Sequence, residues 1–355
     1  MNAELLAGIT VLDLSRLLPG PLATWHLASL GARVVKIEPP AGDDAKRFGP
    51  TDARTSFLYR QLNAGKEILS LDLTRIEGQR EFLERLRQAD LVLESFRPGV
   101  LERLGLGFKR LHECNPRASL ISLTGYGARG EMAAMAGHDV NFLALSGWLE
   151  ELLPEEGPAV LPNVQLGDVL GGALSAAFAA VSALLHAART GIGMHVDVSM
   201  TAVLTASNLL PLAYAQARRS PPGRGSDLLN GGLPCYALYR TRDDRYVAVA
   251  ALESKFWLRF CEALGRPDLV NRHWESGQEI GGKDARALGD ELREMFADKP
   301  LAHWMSIFAG IDCCVTPVLR MDEVLKHPVA AQYLTSLPTE GGAVPSVRSG
   351  VRVLG

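Results

Sequence analysis

An α/β fold is predicted for this chain: a large domain on a parallel sheet covered by helices on both faces, then a smaller α+β domain. Three observations predict it. Short β-rich runs alternate with helical patterns over the first 125 residues. A stretch rich in Arg, Pro and Gly, "ARRSPPGRGSD" (217–227), then breaks the composition and reads as a linker. Beyond it the pattern changes to a hairpin followed by helices. Alternation of the first kind implies parallel strands joined by crossover helices.

Taken in order, "ITVLDLS" (9–15) is a short apolar strand, and "PLATWHLASLG" (21–31) is a helix closed by Gly31. "RVVKIEPP" (33–40) is a strand stopped by two prolines. The β-rich run returns in "ILSLDL" (68–73), "LVLESF" (91–96) and "SLISLTG" (119–125), with helical patterns such as "GQREFLERLRQA" (78–89) between them. After the linker, "CYALYRTRDDRYVAVAAL" (235–252) is a hairpin around "RDD". Helices follow at 255–264, 284–298 and 301–310, and the tail 339–350 has loop composition.

Open parallel sheets bind ligands beyond the carboxyl ends of their strands. The loops "RLLPGP", "EPPAGDD", "DLTRIEG", "FRPGV" and "TGYGARG" therefore matter most. No G-x-G-x-x-G follows the first strand and no P-loop is present, so a nicotinamide dinucleotide or nucleotide triphosphate reading has no support.

Composition narrows the classes further. The chain has 355 residues, 47% apolar and 22% charged, the profile of a soluble globular protein with a sizeable core. A formal charge of -3 gives no broad pull towards nucleic acid or an anionic membrane. Five cysteines without a C-x-x-C spacing argue against a disulfide framework and a zinc site, and no metal is expected. The neighbours Cys313 and Cys314 read as a buried strand edge. The N-terminus lacks a secretory pattern, so the expected compartment is the cytoplasm. "VLGGALSAAFAAVSALLHAA" (169–188) is twenty residues without a charge, but eight are alanine. It reads as a helix buried in a core or subunit interface rather than a membrane span.

Three titratable residues stand out. His138 opens a helix in "AGHDVNFLALSG" (136–147), Asp168 precedes the Ala-rich helix, and Glu253 ends the strand "YVAVAALE". Each has an ordinary reading: a polar helix start, an N-cap and a surface charge. His138 and Asp139 are adjacent and cannot face each other on a helix. Any catalytic partner of His138 must come from elsewhere.

The order and content of several segments settle which reading applies. "LLPGPLATWHLASLGARVVKIEPPAGDD", "NAGKEILSLDL", "ADLVLESFRPGVLERLGLG", "TGYGARG", "GHDVNFLALSG", "GMHVDVSM", "LPCYALY", "YVAVAALESKFW" and "DCCVTPVL" together resemble the family III CoA-transferase (CaiB/BaiF) superfamily along nearly the whole chain. The α-methylacyl-CoA racemase branch is the nearer match. The resemblance implies a Rossmann-like large domain of residues 1–200, rejoined by 335–355, a linker at 201–231, a small α+β domain at 232–325, and an interlocked homodimer. It also implies an acyl-CoA substrate, with no cofactor beyond the CoA moiety and no nucleic-acid or membrane partner.

By the same resemblance His138 and Asp168 are the catalytic pair and Glu253 orients the histidine. Leu71, Asp72, Leu73, Thr74, Ser95, Phe96, Arg97, Arg103, Gly137, Asp139, Asn141 and Phe142 contact CoA. The expected reaction is epimerisation of a 2-methylacyl-CoA by proton transfer through an enolate. The chemistry fits the residue types. The α-proton of a thioester is weakly acidic, so its removal needs a positioned base and a stabilised enolate oxygen. Inversion needs a second group on the opposite face, and backbone N–H groups at the start of the 169–188 helix are expected to receive the enolate oxygen. The alternative is a CoA-transferase in which Asp168 is the nucleophile and passes through an aspartyl-CoA thioester.

Overall fold

A computed structural model describes residues 4–52, 55–154, 157–220, 223–339 and 342–351. The chain divides into two compact units. The larger comprises Met1–Glu150, Asn163–Leu212 and His327–Gly355, and the smaller Glu151–Pro162 and Ala213–Lys326.

Six parallel strands form the larger unit's sheet: β1 (Thr10–Asp13), β2 (Arg33–Glu38), β3 (Glu67–Ser70), β4 (Leu91–Glu94), β5 (Ser119–Thr124) and β6 (His195–Ser199). Their order is β3-β2-β1-β4-β5-β6. In register, β1 pairs with β2 through Val11↔Val34 and with β4 through Val11↔Leu91. Both faces are apolar, as the unbroken hydrophobic runs require. Val11, Val34, Leu91, Leu93, Ile121 and Leu123 point into one core, and Leu12, Val35, Val92 and Leu120 into the other. The first core is closed by the helix Pro19–Ser29 and the Ala-rich helix, the second by Phe82, Leu86 and Leu111. The sixth strand, not expected as one, is a short edge strand whose Asp197 and His195 break the apolar run.

The Ala-rich helix runs Gly167–Thr190, with wide i→i+5 turns over Gly167–Leu174. Its small side packs closely on the unit: a Cβ at Gly171 would lie 2.9 Å from the Met200 carbonyl oxygen, and one at Gly172 would lie 2.7 Å from Pro19 Cβ. Burial in a core or a subunit interface was expected, and in the single chain one side of the helix is buried while the other is open. Ala173, Ala176, Ala180 and Ala183 are buried, whereas Phe178 is 77% and Leu185 60% exposed in the single chain. By length and composition alone this helix is long and apolar enough to cross a membrane.

In the smaller unit, β7 (Tyr236–Arg240), β8 (Tyr246–Ala250) and β9 (Val315–Pro317) form an antiparallel sheet. The helices Ser254–Ala263, Lys283–Ala297 and Leu301–Ile307 cover one face, burying Trp257, Phe260, Phe296 and Trp304. Two expectations need correction. Residues within the expected linker form the helices Met200–Ser207 and Leu209–Gln216. The tail expected as loop contains a hairpin of β10 (Leu334–Thr339) and β11 (Gly342–Val347), and Gln61 Nε2 donates to the Val347 carbonyl at 3.4 Å. Of the two neighbouring cysteines ahead of β9, Cys313 is buried but Cys314 is exposed.

Candidate active site

A cleft of about 680 Å³ opens at the carboxyl ends of the parallel strands. The sheet order reverses between β1 and β4, where the loops after neighbouring strands diverge and leave a crevice. All five loops flagged in the sequence contribute to it: Arg16, Leu17 and Pro19; Glu38 and Pro39; Asp72, Leu73 and Thr74; Phe96, Arg97 and Pro98; Thr124, Gly125 and Tyr126. Leu71, Ser95, Gly137 and Phe142 also line it, as do His138 and Asp168.

The loop after β1 is held by buried charge. Asp13, Lys36, Asp43 and Lys66 have fully buried side chains, with Lys36 Nζ 3.0 Å from Asp43 and Lys66 Nζ 3.2 Å from Asp13. Lys66 also donates to the Pro21 carbonyl at 2.8 Å, and Lys36 to that of Ser15. Asp43 accepts the Leu17 N–H at 3.1 Å, in a loop where Leu17 sits at φ +66°. Burial alone would raise the Asp13 carboxyl, but the charges of Lys36 and Lys66 overcome it and hold the group at about 2. This cage fixes the backbone that carries Arg16 and Leu17 into the cleft.

His138 lies just ahead of the helix Asp139–Leu145, in extended conformation. Its N–H donates to Asn141 Oδ1 at 3.0 Å, and its carbonyl accepts from the Asn141 N–H at 2.8 Å. Asp139, next in sequence, accepts the Asp168 N–H at 2.9 Å. One carboxylate thus ties the two helix starts that bear His138 and Asp168. The crossing needs Gly167, where a Cβ would stand 2.9 Å from Asp139 Oδ1. Burial, with the Asp139 charge adding to it, raises the Asp168 carboxyl from the ordinary 3.8 to about 7.

Three expectations change here. Asp168 is the second residue of its helix rather than the N-cap. Its N–H is taken by Asp139, and that of Val169 by the Gln165 carbonyl at 2.9 Å, so neither is free for an enolate oxygen. Arg103, Asp139 and Asn141 do not line the cleft; Asp139 and Asn141 instead secure the two helix starts. Glu253 belongs to the smaller unit, where it precedes the helix Ser254–Ala263. Sequence reasoning did not single out Arg16, Tyr126 or Met200, which line the cleft. The loops of Arg16 and Tyr126 were flagged by the strand-end rule, whereas Met200 follows β6, a strand that was not expected.

Among the described residues, Arg16 and Arg97 have no acidic partner, which leaves two cations in the cleft for an anionic ligand. Among those residues, too, no group of three or more His, Cys, Asp or Glu is arranged to hold a metal ion.

Comparison with known proteins agrees with this architecture. The model of CoA-transferase family III matches residues 6–354. The alpha-methylacyl-CoA racemase of Homo sapiens is 36% identical over 325 residues, covering 91% of this chain and 80% of the relative. The acetyl-CoA:oxalate CoA-transferase of Acetobacter aceti is 32% identical over 347 residues, covering 95% and 87%. The crystal structure of a CAIB/BAIF family protein from Brucella suis superimposes with a TM-score of 0.83 at 26% identity, covering 98% of this chain and 92% of that one. Matched from end to end by the family model and alike in fold, the chain belongs to CoA-transferase family III.

Proposed function

We propose that the protein epimerises the 2-methyl centre of an acyl-CoA thioester. The observation that carries this reading is the presence of His138 and Asp168 on one cleft, with the Asp168 carboxyl raised to about 7. A carboxyl titrating there is present in both protonation states near neutral pH, as a group that takes and returns a proton must be. In one direction the His138 imidazole removes the α-proton and Asp168, protonated, delivers one to the opposite face. The reverse direction exchanges the roles. Negative charge passes to the thioester oxygen as the α-proton leaves. Arg16 and Arg97 suit the phosphates of CoA, and the chemistry needs no cofactor beyond the substrate's own CoA.

A second reading is a CoA-transferase, favoured by the comparable similarity to a transferase. In that case Asp168 attacks the thioester carbonyl, CoA leaves as thiolate, and the resulting anhydride is reopened by that thiolate to give an aspartyl-CoA thioester. One experiment separates the two. In deuterated water, without any free carboxylate, a 2-methylacyl-CoA is expected to gain deuterium at C2 and to interconvert its epimers. Turnover that demands a carboxylate acceptor and leaves C2 undeuterated, with a hydroxylamine-trapped adduct on Asp168, supports the transferase instead.

Assembly belongs to the same reading. The apolar side of the Gly167–Thr190 helix, with Phe178 and Leu185, is exposed in the single chain and suits contact with a second copy. A homodimer is the expected result of light scattering at micromolar concentration, and a monomer rejects it.

A further inference from the structure

Behind the loop that carries Arg97, the larger unit holds a chain of polar side chains that the proposed reaction does not use. Glu94 ends β4, Ser122 lies opposite it on β5, and His195 begins β6. The Ser122 hydroxyl is 2.9 Å from His195 Nε2 and also hydrogen-bonds the Glu94 carboxyl. Glu94 and Ser122 are buried, and Phe108 stacks on the His195 ring with centroids 5.3 Å apart.

A buried carboxyl at a strand end needs partners. Glu94 Oε2 accepts the Phe96 N–H at 2.6 Å, closing the turn from the strand into its loop. Ser95, Phe96 and Arg97 of that loop line the cleft. The Ser95 hydroxyl in turn accepts the Arg16 N–H at 3.2 Å. The hold of Glu94 therefore bears on the backbone of both cleft arginines.

The chain has two proton arrangements. With Glu94 charged, Phe96 and Ser122 both donate to it, and Ser122 accepts from the His195 Nε2–H. With Glu94 protonated, its O–H donates to Ser122, whose hydroxyl turns to donate to a bare Nε2. The Phe96 N–H then loses its charged acceptor. Burial raises the Glu94 carboxyl to about 7; the Ser122 and Phe96 bonds oppose the rise, and the charges of Glu102 and Asp197 add to it. Burial also lowers the pKa of His195, which favours the neutral ring with its two tautomers.

We propose that Glu94 is a positioning residue for the CoA moiety: charged, it fixes the loop 95–97, and on taking up a proton, with reversal of the Ser122 hydroxyl, it slackens that hold. The inference rests on the reading of the cleft as an acyl-CoA site, and on neither of the two reactions considered for it.

The test is binding of coenzyme A to the full chain, measured by calorimetry from about pH 5 to about pH 8 for wild type and Glu94→Gln. The amide keeps an acceptor for the Phe96 N–H and a donor for Ser122, so it copies the protonated form throughout. At the upper pH the variant is expected to bind roughly fivefold more weakly than wild type, and at the lower pH to match it. Titration of the ligand and of Asp168 is common to both chains and cancels in the ratio. In an Arg97→Ala chain, Glu94→Gln is expected to make no difference. Ser122→Ala removes a donor to the charged form and is expected to move the fall in affinity to higher pH. A ratio of wild type to Glu94→Gln that stays constant with pH overturns the inference, because a merely structural role does not follow the proton. Tighter binding by the amide at the upper pH overturns it too, as the mark of plain repulsion between the Glu94 charge and an anion. So does an undiminished effect in the Arg97→Ala chain, or an unmoved fall in Ser122→Ala. A wild-type chain that binds no coenzyme A defeats the reading of the cleft along with the inference.

Discussion

His138→Ala is expected to abolish deuterium wash-in from one epimer of a 2-methylacyl-CoA while leaving part of it from the other. The two groups on the cleft serve opposite faces of the α-carbon in the proposed mechanism. Removing the imidazole removes the base for one face only, and Asp168 can still take the proton presented to it. Asp168→Ala is expected to show the opposite preference. Neither variant completes inversion, since the far-face proton donor is gone in each. Groups of this kind contribute about 10²–10⁴-fold, so epimerisation is expected to fall on that scale in both. Glu253→Gln is expected to be milder, because the role the family resemblance implies for Glu253, orienting the histidine, stands outside the proton path. NMR of C2 deuteration from each pure epimer reads all three variants. Equal residual exchange from both epimers in His138→Ala would sink the two-base assignment.

Asp168→Asn is expected to make the protein more stable at pH 8 and to change little at pH 4. In the unfolded chain the carboxyl ionises near the ordinary 3.8, whereas in the fold it keeps its proton until about 7. Between those values the folded chain binds more protons than the unfolded one, so this group's contribution to stability declines as pH rises from about 4 to 7. Above 7 the charge is present in a place that disfavours it. The rise corresponds to a penalty on the order of 4 kcal/mol, somewhat less because the group faces the open cleft. No described residue donates a side-chain hydrogen bond to the Asp168 carboxylate, and the amide therefore forfeits little. Urea unfolding of both chains across this pH range measures the difference. A difference that stays constant from pH 4 to 8 refutes the raised carboxyl. Together the two variants test whether the group that destabilises the fold is the one that turns over substrate.

The strands β1, β4 and β5 were legible because Val, Leu and Ile cluster where both faces of a sheet are covered, and β2 and β3 because their apolar runs are bounded by turn residues. The edge strand β6 was not, since a charge and a histidine interrupt the apolar run in "HVDVS". Helices at 200–216 were hidden by Asn208 and Pro211, which read as breakers in a stretch already turning towards linker composition. Pro345 and the glycines of the tail masked the β10–β11 hairpin in the same way. At the site, the strand-end rule located the loops, and the family resemblance supplied His138 and Asp168. What neither gave was the part played by Asp139. A carboxylate one position from a candidate catalytic histidine looks like its partner or like a ligand contact. In the fold it bonds the backbone 29 positions away, a contact created by the meeting of two helix starts.

The larger unit is assembled from three stretches, with the smaller unit arising from the two intervals between them. A ribosome making this chain delivers the six parallel strands first and the β10–β11 hairpin last. Throughout the synthesis of the smaller unit, the Gln61 side chain waits for Ser346 and Val347. The nascent large unit therefore spends that interval unfinished, with part of its surface uncovered. Non-local closure of this sort is slow and exposes apolar surface while it is pending. The smaller unit, most of it one continuous run, can fold as it emerges. Birth order and spatial order thus disagree in this protein.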